Sequence, residues 1–243
     1  MSLFPNQNLG INRQLNDGVR AFMLDDYAVS GRAVLCHNSC DGVSNPVPLA
    51  TDLQRMVDFL KARPGQFVTV FLEDYAPSDV LKSSLASVNG LTDVLYRPDQ
   101  EGVAVKGWPT MADLAARGKQ LLIFSDRTRS ADIGAGWATR DTFGVLYQRE
   151  WTVENYWSMG GGIGSSDWSC YSRWGTGRPL TVDSAAFHPL FVMNTSGTTR
   201  SAPPSRRTTA NSSTGRRTSA RRPPARSRTT SPWTATRWGH RPR

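Results

Sequence analysis

Carboxylates and one histidine follow the apolar runs in the first third of the chain, and these side chains could do acid–base or metal chemistry. VRAFMLDDY carries Asp25 and Asp26, RAVLCHN carries His37, and FVTVFLEDY carries Glu73 and Asp74. An imidazole acts as a general acid or base near neutral pH, and carboxylate oxygens bind hard cations such as Ca²⁺. Because such residues at the ends of neighbouring strands are typical of an active-site rim, we predict one here.

Three later apolar runs also end on polar residues. QLLIFSD ends on Asp126, FGVLYQRE on Glu150 and PLFVMN on Asn194. We predict that Asp126 lines the same pocket and contacts substrate. Arg20, which stands just before the first run, is a candidate phosphate-binding residue, and a salt bridge is the alternative role for it.

The segments between these runs have the spacing of amphipathic helices. PLATDLQRMVDFLKARPG stops at Pro64-Gly65 and places five apolar residues on one face, Leu49, Leu53, Met56, Val57 and Leu60. SDVLKSSLASVNG has a similar face, and Thr110 is placed to cap TMADLAARGK. Buried strands that alternate with such helices predict an α/β fold, with a parallel sheet and helices outside it.

The polar strand ends favour a (β/α)8 barrel of the TIM type, whose chemistry lies at the carboxyl ends of the strands. A doubly wound open sheet is the alternative, but it would have a glycine-rich phosphate turn after an early strand, and the sequence has none. Residues 1–194 contain about six strands where a barrel needs eight. We therefore expect an incomplete barrel, with one strand missing before Met1 and one lost in the tail.

Charge and composition divide the chain into two parts. The last 49 residues, 195–243, hold 12 arginines and no Lys, Asp or Glu, so residues 1–194 carry a net charge of −3 although the whole chain carries +9. This tail also lacks Val, Ile, Leu, Met, Phe, Tyr and Cys, and it cannot bury enough apolar surface to fold. We predict one domain over 1–194 and a disordered tail over 195–243.

Two origins of the tail stay open. It is either a basic arm for nucleic acid or an anionic membrane surface, or the product of a frameshift after Asn194. A shift of one base lets TSGT read as HFRD and PWTATRWG as AVDRYEVG, a strand followed by acidic and aromatic residues. We favour the frameshift, infer no function from the tail, and expect no nucleic-acid partner.

The cysteines and the N-terminal segment bear on location. The chain has Cys36, Cys40 and Cys170, and the surroundings of His37 are too poor in further His or Cys for a zinc site. The re-read tail would add a fourth cysteine, and an even number suits an exported protein. The N-terminal segment enters a helix-like pattern at once, with Leu9, Ile11 and Leu15, so we expect missing sequence upstream of Met1. The chain shows no signal peptide, and we expect a secreted, extracellular parent protein.

The order of three blocks resembles a known family. NQNLGINRQLNDGVRAFMLDDY, GRAVLCHNSC and PLATDLQRMVDFLKARPGQFVTVFLEDY resemble the X domain of phosphatidylinositol-specific phospholipases C, above all the small bacterial, fungal and plant phospholipase C-like phosphodiesterases. The resemblance continues through GWPTMADLAARGKQLLIFSD and REWTVENYW to PLFVMN, and it covers most of residues 5–194. It implies a (β/α)8 barrel and a phosphoric diester hydrolase.

The resemblance also implies a mechanism and the residues for it. Family members cleave inositol phospholipids by attack of the inositol 2-hydroxyl on phosphorus, which gives a cyclic phosphate, and two histidines flank the reacting group. His37 matches the second histidine, Asp25 a metal-binding Asp, and Glu73 a metal-binding Glu. Since the metal-independent branch has Arg where Asp25 stands, the resemblance implies a Ca²⁺ cofactor.

Two departures from the family predict that this chain is inactive. Met23 stands where well-characterised members have a metal-binding Glu, and the first histidine, in a THN-like motif upstream of NQN, is absent. Neither His188 nor His240 matches it. Loss of a general base costs about 10²–10⁴-fold in rate.

Alternative functions remain open. An inactive barrel would serve as a binding module, and the site would also suit a sphingomyelinase D-like or glycerophosphodiester phosphodiesterase. The expected partner is a phospholipid or another phosphodiester, with peripheral contact to a membrane surface, and we expect a monomer. The segment WTVENYWSMGGGIG is either a surface loop or a lid over the site.

Overall fold

The architecture is taken from a computed structural model, which describes residues 9–37, 39–127, 139–156, 171–184 and 187–193. The strands in these residues are β1 (Ala21–Val29), β2 (Arg32–Leu35), β3 (Val47–Pro48), β4 (Val68–Asp74), β5 (Leu121–Ser125), β6 (Leu146–Tyr147), β7 (Thr152–Glu154) and β8 (Leu190–Val192). The α-helices are α1 (Ile11–Asn16), α2 (Leu49–Ala62), α3 (Ser78–Ala86), α4 (Leu91–Val94), α5 (Pro98–Glu101), α6 (Val103–Lys106), α7 (Met111–Ala116) and α8 (Gln148–Trp151). The predicted tail, 195–243, lies outside the described residues.

A six-stranded sheet with the order β3-β2-β1-β4-β5-β6 forms the centre of the fold. β1, β4, β5 and β6 are parallel neighbours, and β7 and β8 form a second, two-stranded parallel sheet. The α/β class and the mostly parallel sheet are thereby confirmed. Within the described residues the sheet does not close into a barrel.

The run RAVLCHN does not form a parallel strand of its own, which corrects one element of the prediction. It forms β2, which returns antiparallel along β1 and pairs Val29 with Arg32 and Asp26 with Leu35. The two turn residues, Ser30 and Gly31, both have positive φ, 50° and 73°. Such a two-residue turn matches the twist of the strands and makes a tight hairpin.

Helices α2 and α3 cover one face of the sheet, which we call the α2 face. All five apolar residues predicted for α2 are buried there and pack with Phe22, Val70 and Ile123. Helix α2 ends at Ala62, just before Pro64-Gly65, and Thr110 forms a capping box with Asp113 at the start of α7, as predicted.

The opposite face, which we call the aromatic face, carries the alternate residues of the same strands. Phe71 and Phe124 stack with ring centroids 5.3 Å apart, and Trp151, Trp108 and Tyr96 extend this second core cluster. The prediction that FGVLYQRE is a strand ending on Glu150 is wrong, because β6 ends at Tyr147 and Glu150 lies in α8.

Among the described residues, no helix is both long enough and apolar enough to span a membrane.

Candidate active site

Three carboxylates meet on the aromatic face at the carboxyl ends of the parallel strands. Asp25 of β1 and Glu73 of β4 are register partners, and Asp126 directly follows β5. Because Phe71 pairs with Phe124, Asp126 continues the same row of residues. The sequence placed these three residues at strand ends, and the structure brings them together in one row.

The hairpin brings His37 back to the middle of β1. The backbone nitrogen of Cys36 donates to the carbonyl oxygen of Asp25 at 3.2 Å, so the next residue, His37, stands beside the Asp25 side chain. Imidazole Nδ1 lies 3.3 Å from Asp25 Oδ2, with the two side chains 35% and 21% exposed. Both groups are therefore accessible to a ligand while they contact each other.

Glu73 is held by Tyr75, which in turn stacks on Tyr27, and sequence reasoning singled out neither tyrosine. The Tyr75 hydroxyl donates to Glu73 Oε1, and this hydrogen bond to the carboxylate is the main cause of the raised pKa of Tyr75. Tyr27 stacks on Tyr75 with ring centroids 4.6 Å apart. The signal was present in DDY and EDY, since each tyrosine follows two residues after a carboxylate of the row.

Asp126 is tied to its neighbours on both sides. Its Oδ1 accepts from the backbone nitrogen of Asp74 at 3.0 Å, and its Oδ2 lies 3.5 Å from the guanidinium of Arg173. Burial is the main cause that raises the pKa of Asp126. The structure places Asp126 in the row as predicted, and contact with substrate stays a prediction.

Arg173 is the cation nearest to this row among the described ion pairs, and sequence reasoning missed it. Its guanidinium bonds the fully buried carboxylate of Glu154 at 3.0 Å and stacks on Trp174 at 4.8 Å. Gln148 donates to the same Glu154 carboxylate at 2.7 Å. Arg173 therefore links the segment after residue 170 to β5 and β7 through two carboxylates.

The next residues along the strands, Asp26 and Asp74, lie on the α2 face instead. Asp74 binds Arg140, and it accepts from Ser125 Oγ at 2.7 Å. Asp26 is fully buried, and neither of its carboxylate oxygens has a hydrogen-bond partner among the described residues. Burial, together with the charge of Asp74, raises the pKa of Asp26 to about 8.

Arg20 stands apart from these residues. It precedes β1, five residues before Asp25, which is about 16 Å along an extended strand. Its guanidinium donates to Gln66 Oε1 at 2.7 and 2.9 Å and to the carbonyl oxygen of Leu15 at 2.7 Å. The placement does not support a phosphate-binding role, and Arg20 fastens the start of the strand.

The side chains of the row are of the type that binds calcium, but they supply fewer oxygen ligands than a calcium ion takes. Ca²⁺ takes six to eight oxygen ligands, and Asp25 and Glu73 offer carboxylate oxygens from neighbouring strands. In the described part of the chain no group of three or more His, Cys, Asp or Glu side chains could hold a metal. Met23, the next residue of β1 on this face, is 57% exposed and offers only a thioether.

The segment interpreted as a surface loop or a lid is ordered at its start. Trp151, Thr152, Val153 and Glu154 are buried and belong to α8 and β7, so this part is not a surface loop. Residues 157–164 of the segment, and the predicted strand end Asn194, lie outside the described residues.

The sequence of this α/β domain defines the class of protein to which it belongs. A family model described as PI-PLC X matches residues 1–154, which is more than half of the chain. The chain belongs to the PI-PLC X family, and the resemblance seen in the sequence is confirmed.

Relatives in fungi and plants share this similarity. An Arthroderma benhamiae protein named "Uncharacterized secreted protein" is 32% identical over 127 residues, which cover 51% of this chain and 28% of the relative. The Arabidopsis thaliana PI-PLC X domain-containing protein At5g67130 is 30% identical over 194 residues, 79% of this chain and 42% of the relative. The chain thus spans less than half the length of these relatives.

Two solved structures are similar to about half of this chain. The calcium-dependent phosphoinositol-specific phospholipase C of a Pseudomonas species is 19% identical, with a TM-score of 0.37, over 47% of this chain and 51% of that chain. L. pealei PLC21 is 16% identical, with a TM-score of 0.37, over 52% of this chain and 16% of that chain. At these TM-scores the likeness carries no argument about the site.

Proposed function

We propose that the row Asp25–Glu73–Asp126, with His37, is the phosphodiester-cleaving site of a phosphatidylinositol-specific phospholipase C. One observation carries the proposal. The hairpin places His37 against Asp25 at 3.3 Å, and Asp25 is the register partner of Glu73. An imidazole and two carboxylates therefore meet at the carboxyl end of a parallel sheet, where such folds bind ligands.

In the proposed reaction the inositol 2-hydroxyl oxygen attacks phosphorus and the bond from phosphorus to the glycerol oxygen breaks. The hydroxyl proton passes to solvent water, since the row contains no histidine other than His37. Asp25 contacts Nδ1 of His37 at 3.3 Å and orients the ring, so that His37 can give a proton to the departing glycerol oxygen. The products are a cyclic inositol phosphate and a diacylglycerol.

A calcium ion belongs to this proposal as a weakly held partner of the site. Asp25 and Glu73 would supply two carboxylates, and the Tyr75 hydroxyl orients the Glu73 side chain. A bound cation would neutralise charge on the phosphoryl group. With two carboxylates we expect affinity in the range of weak extracellular sites, about 10⁻⁴–10⁻³ M.

The same proposal includes the barrel. β1, β4, β5 and β6 would be four consecutive barrel strands, and the parallel pair β7–β8 would be two more. The β2–β3 hairpin arm is then an insertion after the first of these strands, and it delivers His37. We also propose that the parent protein is secreted, because the Arthroderma benhamiae relative is named as a secreted protein.

Turnover of phosphatidylinositol vesicles, followed by ³¹P NMR with calcium or with a chelator, tests this function. We expect slow release of a cyclic phosphate, about 10²–10⁴-fold below an enzyme with both histidines, and its loss in His37→Gln. Release of a phosphomonoester, of choline or of glycerol would point to the other phosphodiesterases. The Asp17→Asn variant, whose Asp17 pairs with Arg13 on the surface, is the control.

A binding module is the second candidate, and exposed Met23 favours it because a thioether cannot replace a metal-binding carboxylate. It predicts that inositol phosphate binds and that no diester is cleaved, even after a general base has been supplied by fusing an upstream histidine segment. Cleavage by such a fusion would exclude it.

A further inference from the structure

The Cys36–Cys40 disulfide is the part of the site to which the proposed reaction gives no role. The two cysteines are four residues apart and enclose His37 in the ring that they close. Cys36 is 9% exposed and directly follows β2, and its backbone nitrogen donates to the Asp25 carbonyl oxygen. One end of the bridge is thereby fixed to the strand that carries Asp25.

Two backbone hydrogen bonds between residues close in sequence hold the rest of the ring and the residues after it. The backbone nitrogen of Ser39 donates to the carbonyl oxygen of His37 at 2.8 Å, and that of Val43 donates to the carbonyl oxygen of Cys40 at 3.1 Å. His37 itself lies beyond the last β1–β2 pair, and both His37 and Ser39 are exposed. The short disulfide ring therefore restricts the backbone of His37, as sheet hydrogen bonds restrict the backbone of Asp25.

We propose that the Cys36–Cys40 disulfide positions His37, so that Nδ1–H stays on Asp25, and that reduction of the bridge releases the imidazole from this contact. The inference deepens the proposed function and rests on it for its consequence, since His37 is the proton donor there. With the proton of the neutral ring held on Nδ1, the lone pair lies on Nε2, which is then the nitrogen that takes up a proton and gives it to the leaving oxygen. Cys36 and Cys40 act through His37 and are positioning residues.

An external dithiol such as dithiothreitol supplies the two electrons that reduce the Cys36–Cys40 bridge. One thiolate of the dithiol attacks a sulfur of the bridge and the second thiolate closes the dithiol into its own disulfide. Two electrons pass to the protein, and Cys36 and Cys40 become thiols. No group of the site other than the bridge changes its oxidation state.

The test is the tautomer of His37 in the full chain, read from ring ¹⁵N shifts at a single pH of about 8, above the ordinary pKa of histidine, and without metal. His37→Gln assigns the signal. We expect the Nδ1–H form in the oxidised protein and a shift towards the Nε2–H form after dithiothreitol. The Cys36→Ser/Cys40→Ser variant should give the shifted spectrum from the start and not respond to the reductant.

His188 is an internal control in the same spectrum. Its Nδ1 lies 2.5 Å from Asp183 Oδ1, in a segment that the bridge does not touch, so its signal should stay constant. An unchanged His37 signal after reduction overturns the proposal. Loss of both histidine contacts also overturns it, because the bridge would then support the whole fold. The readout needs neither substrate nor turnover, so failure of the phosphodiesterase assay leaves it intact.

Discussion

Two pairs of adjacent carboxylates, Asp25-Asp26 and Glu73-Asp74, lie on opposite faces of the same strands and have different surroundings. On the aromatic face Asp25 and Glu73 are partly exposed and contact His37 and Tyr75. On the α2 face Asp26 and Asp74 are buried. Alternation along a strand separates residues that are neighbours in sequence, so one carboxylate of each pair is available for chemistry and the other is part of the interior.

One member of the α2-face pair, Asp74, is held by a cation. Arg140 is 4% exposed, and it binds Asp74 and donates to Ser78 Oγ and to the carbonyl oxygen of Ala76 at 2.7 Å each. This arginine joins β4 to the start of α3, directly behind the row on the aromatic face. The carboxylates of the α2 face are therefore structural groups, and the aromatic face carries the proposed ligand contacts.

The largest expected loss of stability from a single substitution is that of removing the buried cation. Arg140→Met leaves Asp74 buried without its partner, which costs about 3–5 kcal/mol. Urea unfolding measures the loss. Arg117→Met, which removes an exposed pair with Glu101, should cost at most about 1 kcal/mol. Equal losses in the two variants would contradict the structural role of the α2 face.

The buried carboxyl of Asp26 should make stability depend on pH. Its pKa is raised to about 8 in the folded state, so the folded protein holds a proton that the unfolded chain releases above about pH 4. Stability therefore falls as pH rises from about 4 to about 8, by about 1.4 kcal/mol per unit from this group. Asp26→Asn removes this slope, and its stability relative to wild type should grow across the same window.

Unfolding of both proteins at several pH values checks this prediction, because their difference cancels the titrating groups that do not interact with Asp26. Two curves that stay parallel from pH 4 to pH 8 would show that Asp26 is ionised in the folded state.

Tyr75 offers a smaller effect on the aromatic face. Tyr75→Phe keeps the stacking on Tyr27 and removes only the hydroxyl that orients Glu73. Loss of such a support to a metal ligand weakens binding by about tenfold or more, and a calorimetric calcium titration measures it. Tyr27→Phe is the matched control and should bind as wild type does. Equal affinities of the three proteins would remove Glu73 from the metal site.

The smallest expected effect is the change in stability caused by a substitution on the aromatic face. Glu73→Gln should change the free energy of unfolding by no more than about 0.5 kcal/mol, because the side chain is exposed and no core contact is lost. Urea unfolding beside Asp74→Asn, which should be strongly destabilised, gives the contrast directly. A large loss in Glu73→Gln would place this carboxylate among the structural groups.

Local patterns predicted much of the fold. The 3.6-residue spacing of α2 and the cap at Thr110 were read correctly because both depend on residues close in sequence. The β1–β2 hairpin was missed, although Ser30-Gly31 between two apolar runs is a turn signal.

Site residues at the ends of strands could be predicted from the sequence. A site residue whose partner is distant in the sequence could not. Asp25, Glu73 and Asp126 follow apolar runs, and their row was expected. Arg173 has no such pattern, and it meets Asp126 across 47 positions of sequence. Which member of a carboxylate pair is accessible depends on which face of the sheet the helices cover. That is a property of the packed sheet and not of the local sequence.

Adjacent residues give the most direct test of the central claim that the aromatic face is the ligand site. Calcium is titrated by calorimetry, with inositol 1-phosphate present, into wild type, Asp25→Asn and Asp26→Asn. The account predicts that Asp25→Asn weakens binding by more than about tenfold, while Asp26→Asn binds within about twofold of wild type. Loss of binding in Asp26→Asn but not in Asp25→Asn, or equal losses in both, would contradict it.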